Sequence, residues 1–131
     1  MSKVTTETTR IIPHRWDIWT ADFDLLSKES ADSLLAKKHR RRPVVVVAEE
    51  DDGRVTVVPL STKISLAQKK THIYMSNGCL FEKCRALCEC VCTISTGNLH
   101  NHIGSVDDGF ERVAIRHALS LHFGIADIVR E

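Results

Sequence analysis

Two residues near the middle of the chain have side chains suited to anion chemistry: Arg42, directly before Pro43, and Ser61, two residues after Pro59. Arginine presents a planar fork of donors that matches phosphate oxygens and stays charged, and serine adds a hydroxyl. The residues between them indicate how the two would meet. Val44 to Val47 is an unbroken β-branched run, which reads as a strand buried on both faces. Pro43 fits as its first residue, because nothing there has to donate from the nitrogen. Glu49-Glu50-Asp51-Asp52-Gly53 then reverses the chain into a second strand, Arg54 to Val58. Such a hairpin puts a cation and a hydroxyl close together at one rim of a sheet.

The elements around that hairpin belong to a small protein. At 131 residues, 43% hydrophobic and 27% charged, the chain has the apolar content for one ordinary soluble domain. Residues 1–13 read as a loose polar tail, and residues 14–131 as the domain. No apolar run approaches the roughly 18 residues of a membrane span, and the first dozen residues lack a signal-peptide core. The expectation is a cytoplasmic protein. Five cysteines, an odd number, fit a reducing compartment better than a disulfide framework.

The net charge of +1 hides segregation. Lys37, Lys38, His39, Arg40, Arg41 and Arg42 form a basic block, and Glu49 to Asp52 an acidic one. The basic block is either a polyanion-binding surface or a solvated loop; charge alone does not separate the two.

In chain order, Trp16 to Phe23 reads as the first strand. Residues 24–42 make a long connection, with a short helix over Ala31 to Lys37. After the hairpin, Thr71 to Met75 reads as a third strand closed by the turn Ser76-Asn77-Gly78. Cys79 to Phe81 is a short strand or its approach. Ala86 to Ile94 alternates, which sets Cys88, Cys90 and Cys92 on one face. Ser105 with Asp108 resembles a capping box, and Phe110, Val113, Ala114, Ala118 and Leu121 form an apolar stripe at helical spacing. Gly124 suits the residue just past that helix. Five or six short strands and a terminal helix make an α+β, barrel-like domain.

Read together, these segments resemble the MazF/PemK family of bacterial toxins. The resemblance rests on Trp16-Asp-Ile-Trp-Thr-Ala-Asp-Phe23, Arg42-Pro43-Val-Val-Val-Val47, Val57-Val-Pro-Leu-Ser61, Glu89 to Ile94, and Ile103-Gly-Ser105 before a helix, over about residues 14 to 125. It implies an SH3-like small β-barrel of the CcdB/MazF type, mostly antiparallel, with a C-terminal helix. It also implies a metal-independent, cofactor-free endoribonuclease that works as a homodimer, cuts single-stranded RNA at short sequences and is silenced by an antitoxin protein. An alternative on the same fold is a non-catalytic or CcdB-like module that binds RNA, a protein target or an antitoxin.

In RNA cleavage of this type the ribose 2′-hydroxyl attacks its own phosphate, so a crowded, negatively charged phosphorane must be stabilised. The resemblance matches Arg42 to the family's catalytic arginine and Ser61 to a position usually held by threonine. Lys37, Lys38, His39, Arg40, Arg41, Thr62, Lys63 and His72 are the RNA-contacting candidates. His72 and His39 are the imidazoles with a suitable ordinary pKa. Trp16 or Trp19 would pack in the core or stack a base.

The chain departs from the family's pattern in three places. Its first connection is longer and lacks the glycine-rich pattern, with Glu29 as the nearest acidic substitute. Cys92 stands where members often carry arginine, in Glu-Gln-Ile-Arg-Thr. Trp16 stands where a glycine usually opens the first strand.

Two other motifs lead elsewhere. His100-Asn101-His102 spells the metal-nuclease triplet, but falls in what reads as a linker. Cys84, Cys88, Cys90 and Cys92 invite zinc, yet alternate residues of one strand diverge from a single tetrahedral ion.

Overall fold

A computed structural model describes residues 12–22, 41–62, 69–75 and 83–125. The expected helix over 31–37, the turn at 76–78 and the short strand at 79–81 lie outside the described residues. The described elements are β1 (Asp17–Asp22), β2 (Arg41–Glu49), β3 (Arg54–Ser61), β4 (His72–Met75), β5 (Cys84–Leu87), the 3₁₀ turn η1 (Cys88–Cys90), β6 (Cys92–Ser95), the 3₁₀ turn η2 (Thr96–Asn98), β7 (Leu99–Ser105) and α1 (Gly109–His122). The strands form one antiparallel sheet in the order β4-β5-β3-β2-β1-β7, with β6 also paired to β3. The sheet is not closed into a strict barrel.

The β-branched run of β2 is buried on both sides, as its composition predicts. Val45 packs with Ile18, Val58, Leu60 and Ala86 under α1, where Ile115 and Ala118 complete the cluster. Val44 and Val46 face the other way, against Trp19, Val55, Val57 and Ile94. Removing these side chains from water stabilises the fold by about 1.5–3 kcal/mol each. Gly53, at φ +82°, allows the acidic turn between β2 and β3. Both strands extend past their sequence-predicted ends, so Arg42 and Ser61 lie inside β2 and β3 and Pro43 is the third residue of β2.

Four expectations need correction. First, Ala86 to Ile94 is not one strand. Between the pairs Leu60↔Ala86 and Val57↔Cys92, β3 retreats three residues while its partner advances six, because η1 inserts a turn. An odd insertion inverts the alternation, so Cys88 packs under α1 while Cys92 packs on the opposite face. Second, His100-Asn101-His102 lies in β7, a strand paired to β1, which brings the strands among the described residues to seven.

Third, the cap of α1 is Asp108, whose Oδ1 accepts from the backbone of Phe110 at 2.8 Å and Glu111 at 3.3 Å. Ser105 instead donates its hydroxyl to Asp107. Fourth, the helix buries Glu111, Ile115 and Ala118 and turns Phe110 and Val113 outward, 87% and 65% exposed. Gly124, at φ +79°, does end the helix. No helix among the described residues is long and apolar enough to cross a membrane.

Candidate active site

The sheet register assembles the site from four strands. On one side of β2, Ala21 pairs with Arg42. On the other, the ladder to β3 ends at Val44↔Pro59; extending that register by two residues sets Arg42 across from Ser61, on the same face. Ser61 pairs in turn with Arg85 on β5, and Arg85 with Tyr74 on β4. Cross-strand partners share a face. A transverse row of the sheet therefore reads Ala21, Arg42, Ser61, Arg85, Tyr74. Alternation puts this row on the Val44, Val46, Val55 and Val57 face rather than the face under α1.

Three of these side chains are enclosed. Arg42 is 8% exposed, Ser61 1% and Arg85 9%, whereas Tyr74 is half exposed at the sheet edge. Burial holds the Arg42 guanidinium below its usual range, and its Nε is buried with no hydrogen-bond partner among the described residues. The guanidinium still carries its charge. Beside this row lie Trp19, Val44, Pro59, Leu87 and His72. That mostly apolar backing lowers the local dielectric and strengthens attraction to an anion.

His72 faces inward rather than toward solvent. Its Nε2 is 2.8 Å from Glu89 Oε2, and Thr71 donates to Glu89 Oε1 at 2.8 Å. Burial raises the Glu89 carboxyl pKa, but the His72 and Thr71 hydrogen bonds outweigh it and hold the group below the usual carboxylate range. Of the other sequence candidates, Arg41 and Thr62 are exposed next to Arg42 and Ser61. Lys37, Lys38, His39, Arg40 and Lys63 lie outside the described residues.

The sequence reading missed Arg85. Its signal was available: Cys84 and Ala86 on either side are core residues on the α1 face, so the residue between them must face the site row.

Cys88, Cys90 and Cys92 are poor nucleophiles. Burial, reinforced by the neighbouring Glu89, pushes the Cys88 thiol to about 12 and the Cys90 thiol to about 11. Burial also raises Cys92. Among the described residues, no group of three or more His, Cys, Asp and Glu side chains is placed to hold a metal ion.

Residues 14–121 match the family described as PemK-like, MazF-like toxin of type II toxin-antitoxin system. The chain belongs to this toxin family. Among solved structures, it is similar to the Mycobacterium tuberculosis toxin MazF-mt6, at 22% identity and a TM-score of 0.63, over 83% of this chain and 97% of the other. A mycobacterial endoribonuclease in complex with its cognate antitoxin aligns at 16% identity and TM-score 0.66, over 87% and 97%. MazF from Deinococcus radiodurans aligns at 10% identity and TM-score 0.69, over 88% and 99%. Among curated protein sequences none matches.

Trp16 adopts φ +78°, a conformation that suits glycine and strains other residues. Its backbone is nonetheless tied to both neighbours, donating to Val46 at 2.7 Å and accepting from Val106 at 2.8 Å. The indole is buried in the α1 cluster, with the Arg112 guanidinium over its ring.

Proposed function

We propose that this toxin-family chain is an endoribonuclease that cleaves single-stranded RNA at short sequences, without a metal, through attack of the ribose 2′-oxygen on its own phosphate. The observation that carries the reading is the shared row of Arg42 and Ser61 on one buried face of the sheet. Arg42 donates to the non-bridging oxygens as negative charge builds on the phosphorane, in surroundings that screen it little. Ser61 supplies a hydroxyl hydrogen bond to the same phosphate. The 2′-oxygen forms the new bond to phosphorus, the bond to the 5′-oxygen breaks, the 2′-proton leaves and the 5′-oxygen gains one. His72, held against Glu89 with its side chain 1% exposed, is badly placed to exchange that proton. Arg41 and Thr62 flank the site with exposed RNA-contacting groups, and the basic block before Arg42 adds salt-dependent affinity.

Two partners follow from this reading. One is an antitoxin protein, as in the mycobacterial and Deinococcus complexes. The other is a second copy of the chain, supported by the outward apolar residues Phe110 and Val113 of α1.

The test is incubation of the purified protein with a long single-stranded RNA in excess EDTA. Discrete cuts are expected, leaving 2′,3′-cyclic phosphate or 3′-phosphate and 5′-hydroxyl ends, and lost in Arg42→Ala. Intact RNA from a folded sample free of antitoxin overturns the reading. That outcome would favour a non-catalytic binding module on the same fold, for which Cys92 speaks: a neutral thiol stands where members often carry arginine.

A further inference from the structure

We propose that His102 is a nucleobase-stacking residue of this site, with Trp19 as its floor and Asp17 as its anchor, and that it takes a base of single-stranded RNA beside the scissile phosphate. The inference rests on the ribonuclease reading above. Trp19 packs on the Arg42 and Ser61 face of the sheet and is 7% exposed, so it has little free surface for a base of its own. The imidazole of His102 lies against it, with ring centroids 5.3 Å apart and the planes tilted by 43°. That separation is in the range of interacting aromatic rings. The His102 side chain is 36% exposed, and its open surface is the side turned away from Trp19. Asp17 holds the pair: its Oδ2 accepts from the backbone of His14 at 2.8 Å and from Trp19 Nε1 at 3.5 Å, and its Oδ1 lies 3.5 Å from His102 Nε2.

β7 breaks its register to make this contact. The pairs run Asp17↔Ser105 and Ile18↔Gly104, then pass over Ile103, so that Trp19 meets His102; a second irregularity separates that pair from Ala21↔Leu99. Without the first slip Trp19 would face Ile103, an apolar cover sufficient for packing, and His102 would turn to the other face. The isoleucine is instead left 39% exposed. Irregularities of this kind re-aim side chains next to functional sites. The placement agrees with that role. Ala21, two residues beyond Trp19 on the same face, pairs with Arg42. Two strand spacings of about 4.8 Å and a two-residue step of about 6.8 Å put the Cα atoms of His102 and Arg42 roughly 12 Å apart. A single strand held by its phosphate at Arg42 can lay a neighbouring base on the imidazole, and unstacked RNA bases pile on histidine as on other aromatic side chains. The Asp17 carboxylate beside the ring repels a phosphate but not a neutral base, which makes the base the better ligand here.

The experiment compares the parent, His102→Leu and His102→Phe by melting temperature, by binding of a non-cleavable, all-deoxy single-stranded oligonucleotide of mixed sequence across a salt series, and by cleavage of the RNA counterpart. Leucine still covers Trp19 but offers no ring, whereas phenylalanine keeps one. His102→Leu is expected to weaken binding about fivefold or more, with the melting temperature and the slope of log affinity against log salt unchanged. His102→Phe is expected to bind within about twofold of the parent. Parent-like binding by folded His102→Leu would mean that the residue only packs on Trp19, and overturns the inference. A reduced salt slope overturns it too, as the mark of a phosphate contact. A parent that binds the oligonucleotide but leaves the RNA intact overturns the ribonuclease reading, and the stacking role is then decided by the binding series alone. A parent that neither binds nor cuts overturns both. Should His102→Leu fail to fold, His102→Ala takes its place with the same expected outcomes.

Discussion

His72 Nε2 and Glu89 Oε2 lie 2.8 Å apart and join β4 to the turn that interrupts the β5–β6 segment. The bond closes a part-buried triad with Thr71, and it makes this corner of the sheet sensitive to acid. The folded Glu89 pKa is depressed, so its contribution to stability is complete above the ordinary carboxylate value and fades as pH falls through the folded one. Urea unfolding of the parent and Glu89→Gln is expected to differ by about 1–3 kcal/mol at pH 7. The difference should shrink as pH falls below the ordinary carboxylate range and the parent carboxylate protonates. A pH-independent gap would mean that the triad acts only through shape.

Arg42 is expected to trade stability for activity. Arg42→Ala should lower the cleavage rate by about 10²–10³ or more, the usual cost of losing a donor to transition-state charge. Arg42→Met should leave the melting temperature unchanged or higher, because it removes a buried cation. A large loss of stability in Arg42→Met would show that the guanidinium is a structural element instead.

Ser61 tolerates only a narrow range of side chains. It is 1% exposed, so the additional methyl of Ser61→Thr is expected to cost about 1 kcal/mol or more in stability while cleavage survives. Ser61→Ala should fold well and cut about tenfold or more slowly, through loss of one hydrogen bond to a charged group. Melting curves and single-turnover cleavage of both variants separate hydroxyl from volume.

Trp16 offers a direct test of backbone strain against packing. Trp16→Ala removes the indole but keeps a Cβ at φ +78°, whereas Trp16→Gly removes both. Each loses about 3–5 kcal/mol of core packing, and glycine regains roughly 1 kcal/mol of strain. Glycine is therefore expected to be the more stable of the two by chemical denaturation.

The thiols provide a check without mutagenesis. With Cys88 near 12 and Cys90 near 11, brief alkylation at pH 8 is expected to leave both residues unmodified in peptide maps of the folded protein. Rapid labelling of either would mean that η1 opens readily.

The sequence made the central hairpin legible because its signals agree: a β-branched run, an acidic turn with glycine and prolines near the outer ends. The same signals put Arg42 and Ser61 near the ends of the two strands, where β2 and β3 carry them. What escaped was decided by contacts distant in sequence. Nothing in Cys88-Glu89-Cys90 announces a 3₁₀ turn; the turn is held by Thr71, whose carbonyl accepts from Cys88 at 3.1 Å and whose hydroxyl donates to Glu89. Without that turn, simple alternation sets Cys92 on the same face as Cys88, whereas the two pack on opposite faces. The buried face of α1 was misread because apolar residues occupy more than one stripe, and the fold chose Ile115 over Phe110 and Val113. The β7 strand looked like a linker because its residues are mostly exposed and polar, and only its pairing with β1 makes it a strand.

The β2–β3 ladder ends at Val44↔Pro59, while β2 continues bonded to β1 and β3 turns to β5. The sheet thus behaves at this end as two leaves, β7-β1-β2 and β3-β5-β4, stitched together by the β2–β3 ladder further up. Arg42 belongs to one leaf, Ser61 and Arg85 to the other. Spreading the leaves at the site would break no rung of the β2–β3 ladder, which leaves the valine core as the hinge of the sheet.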